Sequence, residues 1–138
     1  MSGDSFLDTN ILVYAAAGKG PDEVKRQRAL ALIEEENFGL SAQVMQEFYV
    51  TVCRKIERPL SAEQALEWIE QLEVFPCIAI DTSLVKIAVE LRQRYLISYW
   101  DGAIIAAAQA LGAKTLYSED LNDGQQYSTV RVWNPFQV

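Results

Sequence analysis

Four carboxylates stand at or beside the ends of four separate apolar segments: Asp8 in SFLDTNILVY, Glu47 in VMQEFYVTV, Asp101 in SYWDGAIIAAA and Asp120 in LYSEDL. The chain has no histidine, and its two cysteines are isolated. An imidazole base and a Cys/His zinc cage are therefore both unavailable. Oxygen ligands are left, and they suit Mg²⁺ or Mn²⁺. Two carboxylates about 4 Å apart repel by on the order of 4 kcal/mol at an effective dielectric of about 20, a cost that a divalent cation removes. A cation held this way makes a bound water a better nucleophile and stabilises a leaving oxygen, so phosphodiester hydrolysis needs no histidine. Asp8 and Asp101 are the expected direct ligands. Glu47 and Asp120 complete the cluster on a second ion or through water. Thr9, Asn10 and Ser118 carry short polar side chains beside these acids and could orient a water or a carboxylate. Asp123 could supply or replace the fourth acid, although Asp120 is favoured because it follows a strand directly. Taken singly, each acid also has an ordinary role: a helix cap for Asp8, a surface position for Glu47, a first-turn acid for Asp101, a turn former for Asp120.

Secondary structure must bring these acids together. Residues 5 to 7 read as a strand that ends at Asp8, followed by a short helix through ILVYAAA capped by Asp8 or Thr9. A helix is expected from Glu23 to Glu36, with Ala29, Leu30, Leu32 and Ile33 on its apolar side. FGLS reads as a second strand, with Ser41 as N-cap of a helix from Ala42 to Ile56. Val44, Phe48 and Val52 share one stripe of that helix, and Glu47 lies at the stripe's edge. Pro59 breaks the pattern, and Ser61 with Gln64 forms a capping box for a helix to Leu72. CIAI reads as a strand, and Asp81 or Thr82 caps a helix from Ser83 to Tyr95. The segment from Trp100 to Leu111 is apolar almost all round, so its helix should be enclosed, with Asp101 its only acid. Gly112 ends it, KTLYS is a strand, EDLNDGQ a loop, and STVRVWNPF supplies the last strand. Strands alternating with helices imply an α/β fold of three layers, with helices on both faces of a mainly parallel sheet of four to five short strands. In such sheets ligands bind beyond the carboxyl ends of the strands, at the topological switch point.

With 138 residues, half of them hydrophobic and 22% charged, the chain reads as a single globular domain over residues 1–138. Cys53 and Cys77 are either two buried thiols in a reducing cytoplasm or a disulfide pair. A charged leader and a membrane-length apolar run are both absent from the sequence, which points to the cytoplasm. The net charge of −7 opposes general nucleic-acid affinity, so an RNA role needs local exceptions. Arg54, Lys55 and Arg58 after Glu47, and Arg92 and Arg94 before Asp101, are either such exceptions or solvated helix faces. Trp68, Tyr95 and Tyr99 could contribute to self-association, with core packing as their alternative fate.

At these residues the chain resembles PIN-domain proteins, and most closely the toxin subunit of VapBC-type toxin–antitoxin pairs. FLDTNILVY is similar to the family's opening strand and first acid, QEFYVTV to its glutamate helix, and SYWDGAIIAAAQALG to the segment bearing the third acid. LYSEDLNDGQ and VRVWNPF resemble the closing acid and the Asn-Pro-Phe ending. The resemblance spans nearly the whole chain and carries the acidic site onto Asp8, Glu47, Asp101 and Asp120. It implies a PIN-like fold and a Mg²⁺- or Mn²⁺-dependent endoribonuclease. It also implies a homodimer neutralised by an antitoxin that lays a peptide segment over the active cleft. Two alternatives are a noncatalytic metal- or RNA-binding PIN module and an RNA-processing nuclease without an antitoxin.

Overall fold

A computed structural model describes residues 3–137, so the outermost positions of the expected 1–138 domain, Met1, Ser2 and Val138, lie outside the described residues. The elements run β1 (Ser5–Leu7), α1 (Thr9–Ala17), α2 (Glu23–Glu35), β2 (Phe38–Ser41), α3 (Ala42–Arg54), α4 (Ala62–Leu72), β3 (Cys77–Ile78), α5 (Thr82–Tyr95), α6 (Tyr99–Ala110), β4 (Thr115–Tyr117), β5 (Gln126–Tyr127) and β6 (Val130–Trp133). The strands form one sheet in the order β3-β2-β1-β4-β6-β5. All neighbours are parallel except β5, which pairs antiparallel with β6. The chain moves outward from β1 to β2 and β3, then returns to place β4 on the other side of β1. The switch point is therefore the gap between the carboxyl ends of β1 and β4.

The described residues form six strands where four to five are expected from the sequence, and three assignments differ from the sequence reading. CIAI was expected to be strand throughout, but only Cys77–Ile78 pairs, because Asp81 accepts from the Leu84 amide at 2.9 Å and turns the chain into α5. The short strand β5 lies in the stretch read as a loop. Its two residues Gln126 and Tyr127 carry no alternation that could announce them, and they pair only because β6 folds back beside them. α3 ends at Arg54, short of Ile56. The Ser61–Gln64 capping box forms as expected, with both reciprocal bonds present.

The core is one apolar cluster, in which Phe6, Leu7, Phe38, Leu40, Phe48, Ile105 and Leu116 are fully shielded. α6 is enclosed as its composition requires: Gly102 to Ala108 are all buried. Gly102 permits this, since a Cβ there would lie 2.7 Å from the Ala88 carbonyl oxygen of α5. The close approach of α5 and α6 sets where Asp101 emerges. Trp68 packs against Phe48, and Tyr95 edges onto Tyr127 at 5.1 Å, so both serve the interior. No helix among the described residues is long and apolar enough to cross a membrane.

Candidate active site

β1 ends in Leu7, and its next residue, Asp8, is the N-cap of α1 and only 4% exposed. Its Oδ1 accepts from the Thr9 amide at 2.7 Å and its Oδ2 from the Ser118 hydroxyl at 2.7 Å. Ser118 follows β4, so one hydrogen bond closes the gap at the switch point. The same hydroxyl accepts from the Asp120 amide at 3.1 Å, and the Asp120 carboxylate accepts from Asn10 Nδ2 at 3.1 Å. Glu47, on α3, accepts from the Thr9 hydroxyl at 2.7 Å and from Gln43 Nε2 at 3.2 Å. Gln43 is buried and also donates to the Trp100 carbonyl at 3.2 Å, which ties α3 to the first turn of α6. There Asp101 is the third helical residue, and its amide bonds to the Ser98 N-cap hydroxyl at 3.1 Å.

The electrostatics couple all four acids. Burial pushes the Asp8 carboxyl up to about 6, with Asp120 and Glu47 adding to the rise while Ser118 and Thr9 oppose it. Burial also raises Asp101, again with contributions from Asp120 and Glu47. Both aspartates therefore lie within the fields of the other two acids. Among the described residues the ion pairs are Lys25–Glu119 and Arg26–Glu23, and neither touches the four acids. The carboxylates of Asp8, Glu47 and Asp120 are met by neutral donors: Thr9, Asn10, Gln43 and Ser118. Thr9, Asn10 and Ser118 thus hold the acids, as their positions in the sequence suggest. Gln43 escaped that reading, although its placement one turn before Glu47 on the same helix face is visible in AQVMQE.

Asp123 is engaged elsewhere, accepting from the Asn134 amide at 2.8 Å and pinning the closing segment. Glu119 points away from the acids and accepts from Tyr14 at 2.7 Å and from Lys25. Among the described residues no three Asp, Glu or Cys side chains stand together as a ready ligand group. Uncompensated carboxylates spread toward separate donors to lower their repulsion. The donor set is nonetheless all oxygen, partly desolvated and without a cationic side chain, which fits a hard divalent cation.

From this region a groove of about 1000 Å³ opens between α1 and α3. Thr9, Asn10, Glu47 and Asp120 line its acidic end, Val13, Ala16, Ala17 and Val50 its middle, and Lys55, Glu57 and Arg58, of both signs of charge, its far lip. Arg94, by contrast, lies over the Tyr95 ring at 5.1 Å.

Solved structures share this architecture. A toxin–antitoxin complex from Klebsiella pneumoniae superposes with a TM-score of 0.72 at 23% identity, covering 97% of this chain and 99% of that one. VapC20 of Mycobacterium tuberculosis, a sarcin-ricin loop cleaving toxin, gives 0.68 at 18% identity, with 92% and 98% covered. VapBC2 of Rickettsia felis, bound to a DNA fragment from its promoter, gives 0.64 at 21%, with 94% and 98% covered. Identities this low carry the fold and not the activity. No curated protein matches the sequence. The family model described as PIN domain matches residues 5–123, which takes in all four acids and the switch point between them, and the chain belongs to the PIN domain family.

Proposed function

We propose that the protein is a Mg²⁺- or Mn²⁺-dependent endoribonuclease, the toxin of a type II toxin–antitoxin pair, acting in the cytoplasm and neutralised by a cognate antitoxin. The observation that carries this is the coupling of Asp8, Glu47, Asp101 and Asp120 around the β1–β4 switch point, with no basic partner among the described residues. Asp8 and Asp101 would hold the ion, and Glu47 and Asp120 would complete the set. When bound, the ion supplies Lewis acidity and a more acidic water. The chain's own residues do the rest. Ser118 and the Thr9 amide fix the Asp8 carboxylate, Thr9 and Gln43 fix Glu47, and Asn10 fixes Asp120. Hydrogen bonds of this kind hold the carboxylates at the orientation that binding needs, so less is lost to reorganisation.

The groove supports the antitoxin part of the proposal. Its apolar middle suits the apolar face of an amphipathic segment, and its acidic end suits a basic side chain on that segment. The structural neighbours that are toxin–antitoxin complexes point the same way. The protein works as a homodimer in this reading, as the family resemblance implies.

Incubating the purified protein with total RNA and Mn²⁺ tests the proposal. Cleavage that disappears in EDTA and in Asp8→Asn or Asp101→Asn, with both variants folded, is the expected result. Intact RNA under all conditions rejects it. The lack of a preassembled ligand group favours a second reading, a noncatalytic metal- or RNA-binding module. Metal-dependent stabilisation without turnover would support that instead.

A further inference from the structure

A second cavity, of about 530 Å³, lies on the face of β4 and β6 and is lined by Lys114, Thr115, Gln126, Thr129, Arg131 and Trp133, with Gly112 and Ala113 at its edge. Its volume is that of a small-ligand site. The pairing Thr115↔Arg131 and Tyr117↔Trp133 sets Thr115, Arg131 and Trp133 along one sheet face, and Arg131 and Trp133 are the exposed half of the alternating strand VRVW. In a chain of net charge −7, two cations and no carboxylate line this cavity among the described residues. Two acids beside it are held elsewhere: Glu36 accepts from the Ser5 and Tyr117 hydroxyls, and Asp4 meets Lys114 only through its backbone carbonyl, which accepts from the Lys114 amide at 3.1 Å. The Asp4 carboxylate is directed to Asn37 Nδ2 at 3.4 Å.

The cations are also placed. Arg131 donates to the Gly124 carbonyl at 3.1 Å, and its guanidinium stands over the Trp133 ring at 5.9 Å. The Arg131 amide bonds to the Lys114 carbonyl at 2.9 Å, which holds the two backbones together at this edge of the cavity. Trp133 keeps 44% of its surface in water, an exposed indole beside two positive charges. That combination suits one ligand chemistry: a planar base to stack on the indole, and a phosphate to meet Arg131 and Lys114. An acidic peptide would use the charges and leave the indole idle.

The cavity starts at the amino ends of β4 and β6, with Lys114 and Arg131, and reaches toward their carboxyl ends at Trp133. The Trp133 carbonyl accepts from the Ser118 amide at 3.1 Å, and the Ser118 hydroxyl is the donor that grips Asp8. We propose that the Lys114–Arg131–Trp133 cavity is a subsite for an unpaired nucleotide of an RNA strand whose scissile bond lies at the acidic centre. The inference rests on the reading of the chain as a ribonuclease. It explains how a chain of this net charge holds a polyanion: backbone contacts are made away from the acids, where phosphate repulsion is least.

The test is fluorescence anisotropy with a labelled ten-nucleotide single-stranded RNA in EDTA, so that nothing is cleaved. Lys114→Ala with Arg131→Ala should weaken binding at least tenfold and reduce the slope of log K against log salt by about 1.4, the value for two phosphate contacts on a single strand. Trp133→Ala should weaken it several-fold, and Trp133→Phe should restore most of the loss. Lys114→Glu alone, at an exposed position where folding is not at stake, should weaken it as well. Wild-type affinity in all of these folded variants, or no RNA binding by the wild type, overturns the subsite. A protein that loses affinity in the variants but never cleaves RNA with Mn²⁺ retains the subsite and loses the ribonuclease reading. Cleavage with unaltered affinity does the reverse.

Discussion

The Thr9 hydroxyl donates to Glu47 Oε1 at 2.7 Å, so the residue that follows the first acid in the chain orients an acid on a different helix. The Thr9 amide meanwhile binds Asp8. One residue thus holds two of the four carboxylates, and the α1 N-terminus and α3 cannot shift independently without breaking a bond to an ionised group.

Thr9→Val keeps the shape of the side chain and removes the donor. A hydrogen bond to a charged group is worth about 1.5–3 kcal/mol, so kcat/KM for RNA should fall by roughly ten- to hundredfold. The fall should appear mainly in kcat, because the residue positions an acid and does not bind the substrate. Thr9→Ser should restore most of the rate. Steady-state cleavage of a labelled oligonucleotide measures both, and full activity in Thr9→Val would separate Glu47 from the reaction.

Asp8 gives a signed pH effect. Its carboxyl is raised from 3.8 to about 6 in the folded state, so the folded protein holds that proton more tightly than the unfolded chain does. The stability this provides is complete below about pH 4 and is lost as the pH rises toward and through 6. Integrated over that window, the loss is on the order of 3 kcal/mol. In EDTA, Asp8→Asn should therefore match the wild type near pH 4 and exceed it in stability above pH 6. Urea titrations from pH 4 to 8 report the difference, and a constant gap across that range would contradict the raised carboxyl.

Much of this site is legible in the sequence, because Asp8 and Asp120 follow apolar runs that could only be strands and Glu47 lies at the edge of a well-spaced helical stripe. Thr9, Asn10 and Ser118 are legible for the same reason: short polar residues beside an acid at a strand end have little to bind except that acid. What escaped is set by contacts distant in the chain. Gln43 acts by reaching Trp100 as well as Glu47, and only the packing of α3 against α6 provides that second acceptor. Asp123 reads as a spare ligand until Asn134, carried back by β6, claims its carboxylate. The cavity at Arg131 and Trp133 depends on a strand register that alternation suggests but that only pairing with β4 fixes.

Gly102 tests the link between packing and the site. A Cβ at this position would meet the Ala88 carbonyl oxygen at 2.7 Å and the Arg92 nitrogen at 3.4 Å. Both are backbone atoms that cannot rotate aside. Gly102→Ala should cost about 1–3 kcal/mol, as overpacking does, despite the better helix propensity of alanine. Because Asp101 is adjacent, relief of the clash displaces that carboxylate too, so cleavage should fall further than the folded fraction alone explains. Unchanged stability would mean that α5 and α6 are less closely apposed than the structure places them.

The acids' mutual repulsion makes the last prediction, and its sign depends on charge rather than on catalysis. Near pH 7.5 Asp8 is ionised, and Glu47 and Asp120 are close enough to disfavour negative charge on both Asp8 and Asp101, with no ion pair among the described residues to offset this. A ligand that binds only the folded state stabilises it by about 2.7 kcal/mol at a hundred times its Kd, which is roughly 8–12 °C in Tm for a domain of this size class. Mn²⁺ should therefore raise the Tm of the wild type and do so far less in Asp8→Asn or Asp101→Asn. It should also do less at pH 5, where protons compete for Asp8. Asp123→Asn should leave the metal-induced rise intact, since its carboxylate caps Asn134 and faces no other acid of the set. Differential scanning fluorimetry with and without Mn²⁺ distinguishes these cases. Equal shifts in the wild type and in Asp8→Asn would place the ion elsewhere on the protein.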